Sequence, residues 1–128
     1  NVLVRLIVKD DAAQAKLAAA YLRRHCSTDN PGFISLSVAV ELFWTLSRTY
    51  QLGREEVAKA IHGILISREL IFQHPDEVRY AFRMFVQEGA DFADALIGAV
   101  NQSEGCFTTV TFDKNASRLP EFTLLRKS

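Results

Sequence analysis

Residues 89–115 read GADFADALIGAVNQSEGCFTTVTFDKN. This stretch predicts a helix followed by a strand. Gly89 closes the preceding element, and Asp91 caps a helix running from Phe92 to about Gln102. Gly105 follows that helix, and Cys106 to Thr111, rich in threonine and valine, reads as the clearest strand of the chain. Ala93, Ala95, Gly98 and Ala99 leave the helix thin, so it can approach a sheet closely. Two carboxylates mark the ends of the unit. Asp94 sits in the first helical turn, and Asp113 lies just beyond the carboxyl end of the strand.

The same alternation extends outward. Asp10 and Asp11 open a helix through Arg24, with Ala15, Leu17, Ala18, Tyr21 and Leu22 available for an apolar face. After the turn at Asn30-Pro31-Gly32, Phe33 to Leu36 reads as a short strand. Ser37 is placed to cap a helix to about Tyr50, which is apolar nearly all round and expected to be deeply buried. Arg54 to Ser67 form another helix, and Leu70 to Phe72 a second strand. A further helix starts at Pro75, with its stripe at Val78, Ala81, Phe82, Phe85 and Val86. Phe122 to Leu125 reads as a last strand. For residues 1–8 both readings stay open, with periodicity slightly favouring a strand. Short apolar strands alternating with helices imply a parallel sheet covered on both faces.

A third carboxylate, Glu41, lies in SVAVELFWTL at residues 37–46. Glu41, Asp94 and Asp113 each sit in an apolar segment expected to be buried, with no local lysine or arginine to neutralise them. An unpartnered buried carboxylate costs several kcal/mol or protonates. Gathered together, such groups repel by roughly 4 kcal/mol per pair at ~4 Å and an effective dielectric of ~20. Mg²⁺ or Mn²⁺ relieves both penalties, because a hard cation takes oxygen ligands. Taken singly, each residue has a structural explanation as a helix-dipole partner, a cap or a turn former. Taken together, all three are expected at the carboxyl end of the strands, where open parallel sheets bind ligands. That pattern points to a metal-dependent hydrolase.

Composition narrows the alternatives. The chain has 128 residues, 48% of them hydrophobic, which suits one globular domain with a single core. Fifteen basic residues balance fifteen acidic ones, so the bulk positive charge of a general nucleic-acid binder is absent. Lys114, Arg118, Arg126 and Lys127 form a modest cationic edge near the end. No apolar run reaches the ~20 residues of a membrane span, and no signal peptide is read at the start. Cys26 and Cys106 fit no metal-binding spacing and are expected to be buried thiols of a cytoplasmic protein. His25, His62 and His74 share no ligand spacing, and no phosphate loop, nucleophile elbow or paired-cysteine zinc motif is present. Trp44 and most of the nine phenylalanines are expected in the core, while Tyr50 or Phe112 could stack a base.

The segments NVLVRLIVKDD, SVAVELFWTLSRTYQLGREEV and GADFADALIGAVNQSEGCFTTVTFDKNASRLPEF together resemble PIN-domain proteins of the VapC toxin type. The likeness covers essentially the whole chain, and TFD followed by DKNASRL is its most specific part. It implies a PIN-like three-layer α/β/α sandwich with a short parallel sheet, and a helix rather than a strand for residues 2–8. It further implies an Mg²⁺- or Mn²⁺-dependent ribonuclease that acts as a toxin, with an RNA substrate, a cognate antitoxin and a homodimeric state. Glu41, Asp94 and Asp113 correspond to the family's acidic landmarks. Asp94, Asp113 and the family's first aspartate would hold the metal, and Glu41 would join the metal site from the outer shell, orienting or deprotonating the attacking water. Asn1, Asp91 and Thr111 are candidates for hydrogen bonds that aim those carboxylates. The family's first carboxylate belongs to an Asp-Thr-Asn motif whose asparagine resembles Asn1, so that group is expected upstream of Asn1. Tyr21, Leu22, Phe43, Leu46, Ile61, Leu65, Phe82 and Phe85 are expected to supply apolar surface for partners. The competing reading is a catalytically incomplete PIN-like binding module acting through protein contacts.

Overall fold

The computed structural model describes residues 1–127. Its contacts gather into two compact units, Asn1–Gln73 and the chain from His74 onward.

The first unit begins with a helix. α1 spans Val2–Val8, where Asn1 caps it by accepting the Leu3 N–H at 2.9 Å, and Leu3 and Val4 are buried. The helical spacing of Val4, Ile7 and Val8 thus prevails over β-branched content. α2 spans Ala12–His25, with the Asp11 carboxylate accepting the Gln14 N–H. None of its residues is fully buried, and Leu17 and Tyr21 are exposed. The expected apolar face of α2 is therefore realised only through its half-buried alanines and Leu22.

β1 covers Gly32–Ile34 and pairs in parallel with β2, Leu70–Phe72, with Gly32 opposite Leu70 and Ile34 opposite Phe72. Between them lie α3, Leu36–Trp44, and α4, Arg54–Leu65. The cap of α3 is Ser35, whose hydroxyl accepts the Val38 N–H at 3.3 Å, so the expected cap at Ser37 lies two residues too late. Leu36 accordingly belongs to the helix and not to the strand. Thr45–Thr49 continue α3 as a π-helical turn, closed by the Tyr50 N–H on the Thr45 carbonyl. Ala39, Leu42, Phe43 and Leu46 fill the core together with Val57 and Ile61. Arg5, Asp10 and Tyr50 link α1 to the segment after the π turn. The Arg5 guanidinium lies 2.9 Å from Asp10, and the Tyr50 hydroxyl donates to the other Asp10 oxygen at 2.8 Å.

In the second unit, α5 spans Pro75–Glu88 and α6 spans Phe92–Ser103. Gly89 ends α5 at φ 68°, the left-handed conformation that glycine adopts without a side-chain clash. The inward stripe is Val78, Ala81 and Phe85; Val86 falls outside it and is 52% exposed. β3, Thr109–Thr111, pairs in parallel with β4, Phe122–Leu124, and a 3₁₀ turn at Ala116–Arg118 joins them. β3 is shorter than the expected Cys106–Thr111 strand.

The elements are the mixed helices and short parallel strands of a PIN-like α/β/α fold. Among the described residues the strands form two separate parallel pairs instead of one continuous sheet. Phe43, Leu46, Ile61 and Phe85, expected as partner surface, are buried within their own units. Cys26 is half-buried and Cys106 exposed, both as free thiols, which corrects the expectation of buried thiols. No helix among the described residues is long and apolar enough to cross a membrane.

Candidate metal centre

The acidic site in the second unit follows from how α6 and β3 are joined. The Asn101 side-chain amide donates to Thr109 Oγ1 at 3.0 Å, which pins the end of α6 to the start of β3. The strand then runs back along the helix, so its far end returns to the α6 N-terminus. Asp113 is thereby brought to Asp94, close enough for the two charges to interact. Close approach depends on Gly98. A Cβ there would lie 2.7 Å from the Phe122 ring and 3.1 Å from the Glu121 Cβ.

Asp91 caps α6, its Oδ2 accepting the Asp94 N–H at 3.0 Å. The half-buried Asp94 carboxyl is raised above its ordinary range, first by burial and then by the nearby charges of Asp91 and Asp113. Asp113 is exposed and held by its own turn. Its amide donates to Thr111 Oγ1 at 3.0 Å, and its Oδ1 accepts the N–H groups of Asn115 at 2.8 Å and Ala116 at 3.4 Å. The carboxylate is thus oriented through one oxygen, and Oδ2 takes no hydrogen bond among the described residues. Thr111 and Asp91 therefore both contact the backbone of the acidic pair.

A hard divalent cation suits this donor set. Two carboxylates that repel each other supply oxygen ligands and negative charge, and Mg²⁺ is commonly held by one or two carboxylates with water and substrate phosphate completing its shell. Among the described residues, no group of three or more His, Cys, Asp and Glu side chains is gathered for a metal.

The remaining candidates, Asn1 and Glu41, belong to the first unit. Asn1 is the cap of α1. Glu41 is the sixth residue of α3, beyond the first turn, and it is exposed, not buried. Asp113 is exposed as well, so of the three carboxylates expected to be buried only Asp94 is even half-buried. Trp44, expected in the core, is 60% exposed. Ala39, Leu42 and Phe43 occupy the inward face of α3 and leave Trp44 on the other side.

A second polar centre was not foreseen. Glu121 is 8% exposed, and the Tyr80 hydroxyl lies 2.7 and 2.8 Å from its two carboxylate oxygens. Burial, then the bond to Glu121, pushes the Tyr80 phenol up to about 12. The Glu121 carbonyl also accepts the Thr109 N–H at 2.8 Å, so this residue ties α5 to β3. Its place in the apolar run LPEF was the available signal.

Comparison with known proteins gives one result. No curated protein and no solved structure shows a significant match. The profile of the PIN domain matches residues 1–121, nearly the whole chain. The chain belongs to the PIN domain family.

Proposed function

We infer that this protein is an Mg²⁺- or Mn²⁺-dependent endoribonuclease and the toxin member of a toxin–antitoxin pair. PIN domains are generally nucleases and typically use divalent metals. The observation that carries the metal-dependent reading is the meeting of Asp91, Asp94 and Asp113 at the N-terminus of α6, where burial and the neighbouring charges raise the Asp94 carboxyl. Asp94 and Asp113 would hold the metal, which supplies Lewis-acid polarisation of a phosphoryl oxygen and a water of lowered pKa. Asp91 fixes the Asp94 backbone, and Thr111 fixes that of Asp113, so both carboxylates are aimed before substrate arrives. Glu41 is assigned to orient or deprotonate the attacking water. The toxin role, the antitoxin and the homodimer rest on the resemblance of the motifs around Glu41, Asp94 and Asp113, and the cytoplasmic location on the free thiols of Cys26 and Cys106.

The test is cleavage of an end-labelled single-stranded RNA by protein expressed from its whole natural reading frame. Cleavage is expected with Mg²⁺ or Mn²⁺, lost in EDTA, and reduced more than ~100-fold in Asp113→Asn, since even residues behind a metal ligand contribute ~10–100-fold. A folded protein that leaves RNA intact under all these conditions would overturn the nuclease reading in favour of a binding module.

A further inference from the structure

The exposed face of α3 and its π-helical extension carries four different side chains in one line. Ser37, Glu41, Trp44 and Arg48 recur at spacings of four, three and four, which align residues on one side of a helix. All four are exposed. Trp44 is the chain's single tryptophan, and it enters no ring stack among the described residues. Arg48 follows it in the π-helical turn Thr45–Thr49, a type of irregularity frequent at functional sites. Leaving a large aromatic ring in water forfeits the favourable burial that Phe43, its neighbour, obtains in the core.

We propose that Trp44 and Arg48 form a binding strip for an unpaired strand of the nucleic-acid substrate, with Trp44 stacking one base and Arg48 contacting the backbone. The proposal rests on the nuclease reading above and deepens it by naming where the strand lies beside Glu41. The composition of the face favours nucleic acid over a protein helix. A docked helix needs several apolar anchors at positions i, i+3 or i+4, and i+7. This face offers one aromatic ring between a carboxylate and a guanidinium. An indole stacks any unpaired base, and a nearby guanidinium pairs with phosphate, which is how single strands are held without sequence preference. A base inside a duplex has both faces covered by its stacked neighbours, so the interior of duplex RNA is excluded from the strip.

The single tryptophan makes the test direct. Intrinsic fluorescence is followed while a single-stranded oligoribonucleotide is titrated in EDTA, so that binding is read without cleavage. Saturable quenching is expected, and a duplex of the same sequence leaves the signal unchanged. In the Mg²⁺ assay, Trp44→Ala should raise KM by about 5- to 150-fold, the range for losing one stacked base, with kcat little changed. Trp44→Phe should restore most of the affinity, because a phenyl ring still stacks. Arg48→Ala should reduce the salt dependence of log K by a slope of about 0.7, one phosphate contact on a single strand. Cleavage with wild-type KM in Trp44→Ala and no fluorescence change would overturn the proposal while leaving the nuclease reading intact. Quenching without cleavage would support the strip and count against the nuclease reading. Emission that shifts with protein concentration and ignores RNA would assign the face to contact between copies of the chain, and would overturn it.

Discussion

Replacing Tyr80 by phenylalanine removes one oxygen and leaves the ring in place. The cost is set by Glu121, a residue 8% exposed whose carboxylate receives the Tyr80 hydroxyl at 2.7 and 2.8 Å. Hydrogen bonds to charged groups contribute roughly 1.5–3 kcal/mol, and the half-buried position of Tyr80 argues for the lower end. A loss of about 1.5 kcal/mol is therefore expected at neutral pH. In urea denaturation with m near 1.5 kcal/mol/M, the midpoint should fall by about 1 M. The sign of its pH dependence follows from the phenol being pushed up to about 12. The folded state favours the protonated phenol, so the contribution is complete below the ordinary tyrosine range and is lost as pH rises through about 12. Because Glu121 also accepts the Thr109 N–H, loosening it should reach β3 and the Asp113 end of the strand, lowering nuclease activity together with stability. A midpoint within 0.2 M of wild type, roughly 0.3 kcal/mol, would refute the reasoning. So would an unchanged difference between wild type and Tyr80→Phe from neutral pH to pH 12.

Other perturbations give equally definite outcomes. Gly98→Val should destabilise by about 2 kcal/mol or more, read by thermal denaturation, since its Cβ would meet the Phe122 ring at 2.7 Å and overpacking typically costs 1–3 kcal/mol; a melting temperature equal to wild type would contradict the close α6–β4 approach. Mg²⁺ should stabilise the protein by about 1.4 kcal/mol at ten times its Kd, and Asp94→Asn should remove most of that gain, as checked by thermal scans with and without cation. In the absence of metal, the raised Asp94 carboxyl means that stability declines as pH rises from the ordinary carboxylate range through the raised value. Asp94→Asn should flatten that decline in denaturation curves taken across pH. Tyr50→Phe should move the Asp10 carboxyl back up toward its ordinary 3.8, because the Tyr50 hydroxyl bond is the largest cause of its lowering; carboxyl NMR would show the shift, and an unmoved Asp10 would contradict it.

What the sequence revealed follows the strength of its local chemistry. α5 and α6 were legible nearly to the residue, because Pro75, Gly89 and Asp91 impose backbone geometry or satisfy end groups whatever surrounds them. α1 was not legible by periodicity, since seven residues rich in β-branched side chains satisfy a strand and a helix template equally well. The start of α3 was misplaced because Ser35 and Ser37 are both competent caps, and only the pairing of β1 with β2 decides between them. One sheet was expected where two strand pairs occur, because strand order depends on contacts that no local pattern encodes. At the site, Asp94 and Asp113 could be foreseen together from the helix–strand return. The exposure of Glu41 and Trp44 could not, because an α3 that is apolar nearly all round does not declare which side its neighbours cover. The Tyr80–Glu121 pair was hidden for a related reason: its partners are 41 residues apart.

The central claim is that Asp94 and Asp113 form a carboxylate pair completed by a divalent cation. Carboxyl NMR titration of Asp94 tests it most directly, performed without metal, with millimolar Mg²⁺, and again in Asp113→Asn. A cation favours the ionised form, so Asp94 should titrate above the ordinary carboxylate range without metal and fall well below that position when Mg²⁺ is added. Removing the Asp113 charge should lower the metal-free value and weaken the response to Mg²⁺. An Asp94 that titrates identically in all three conditions would contradict the account.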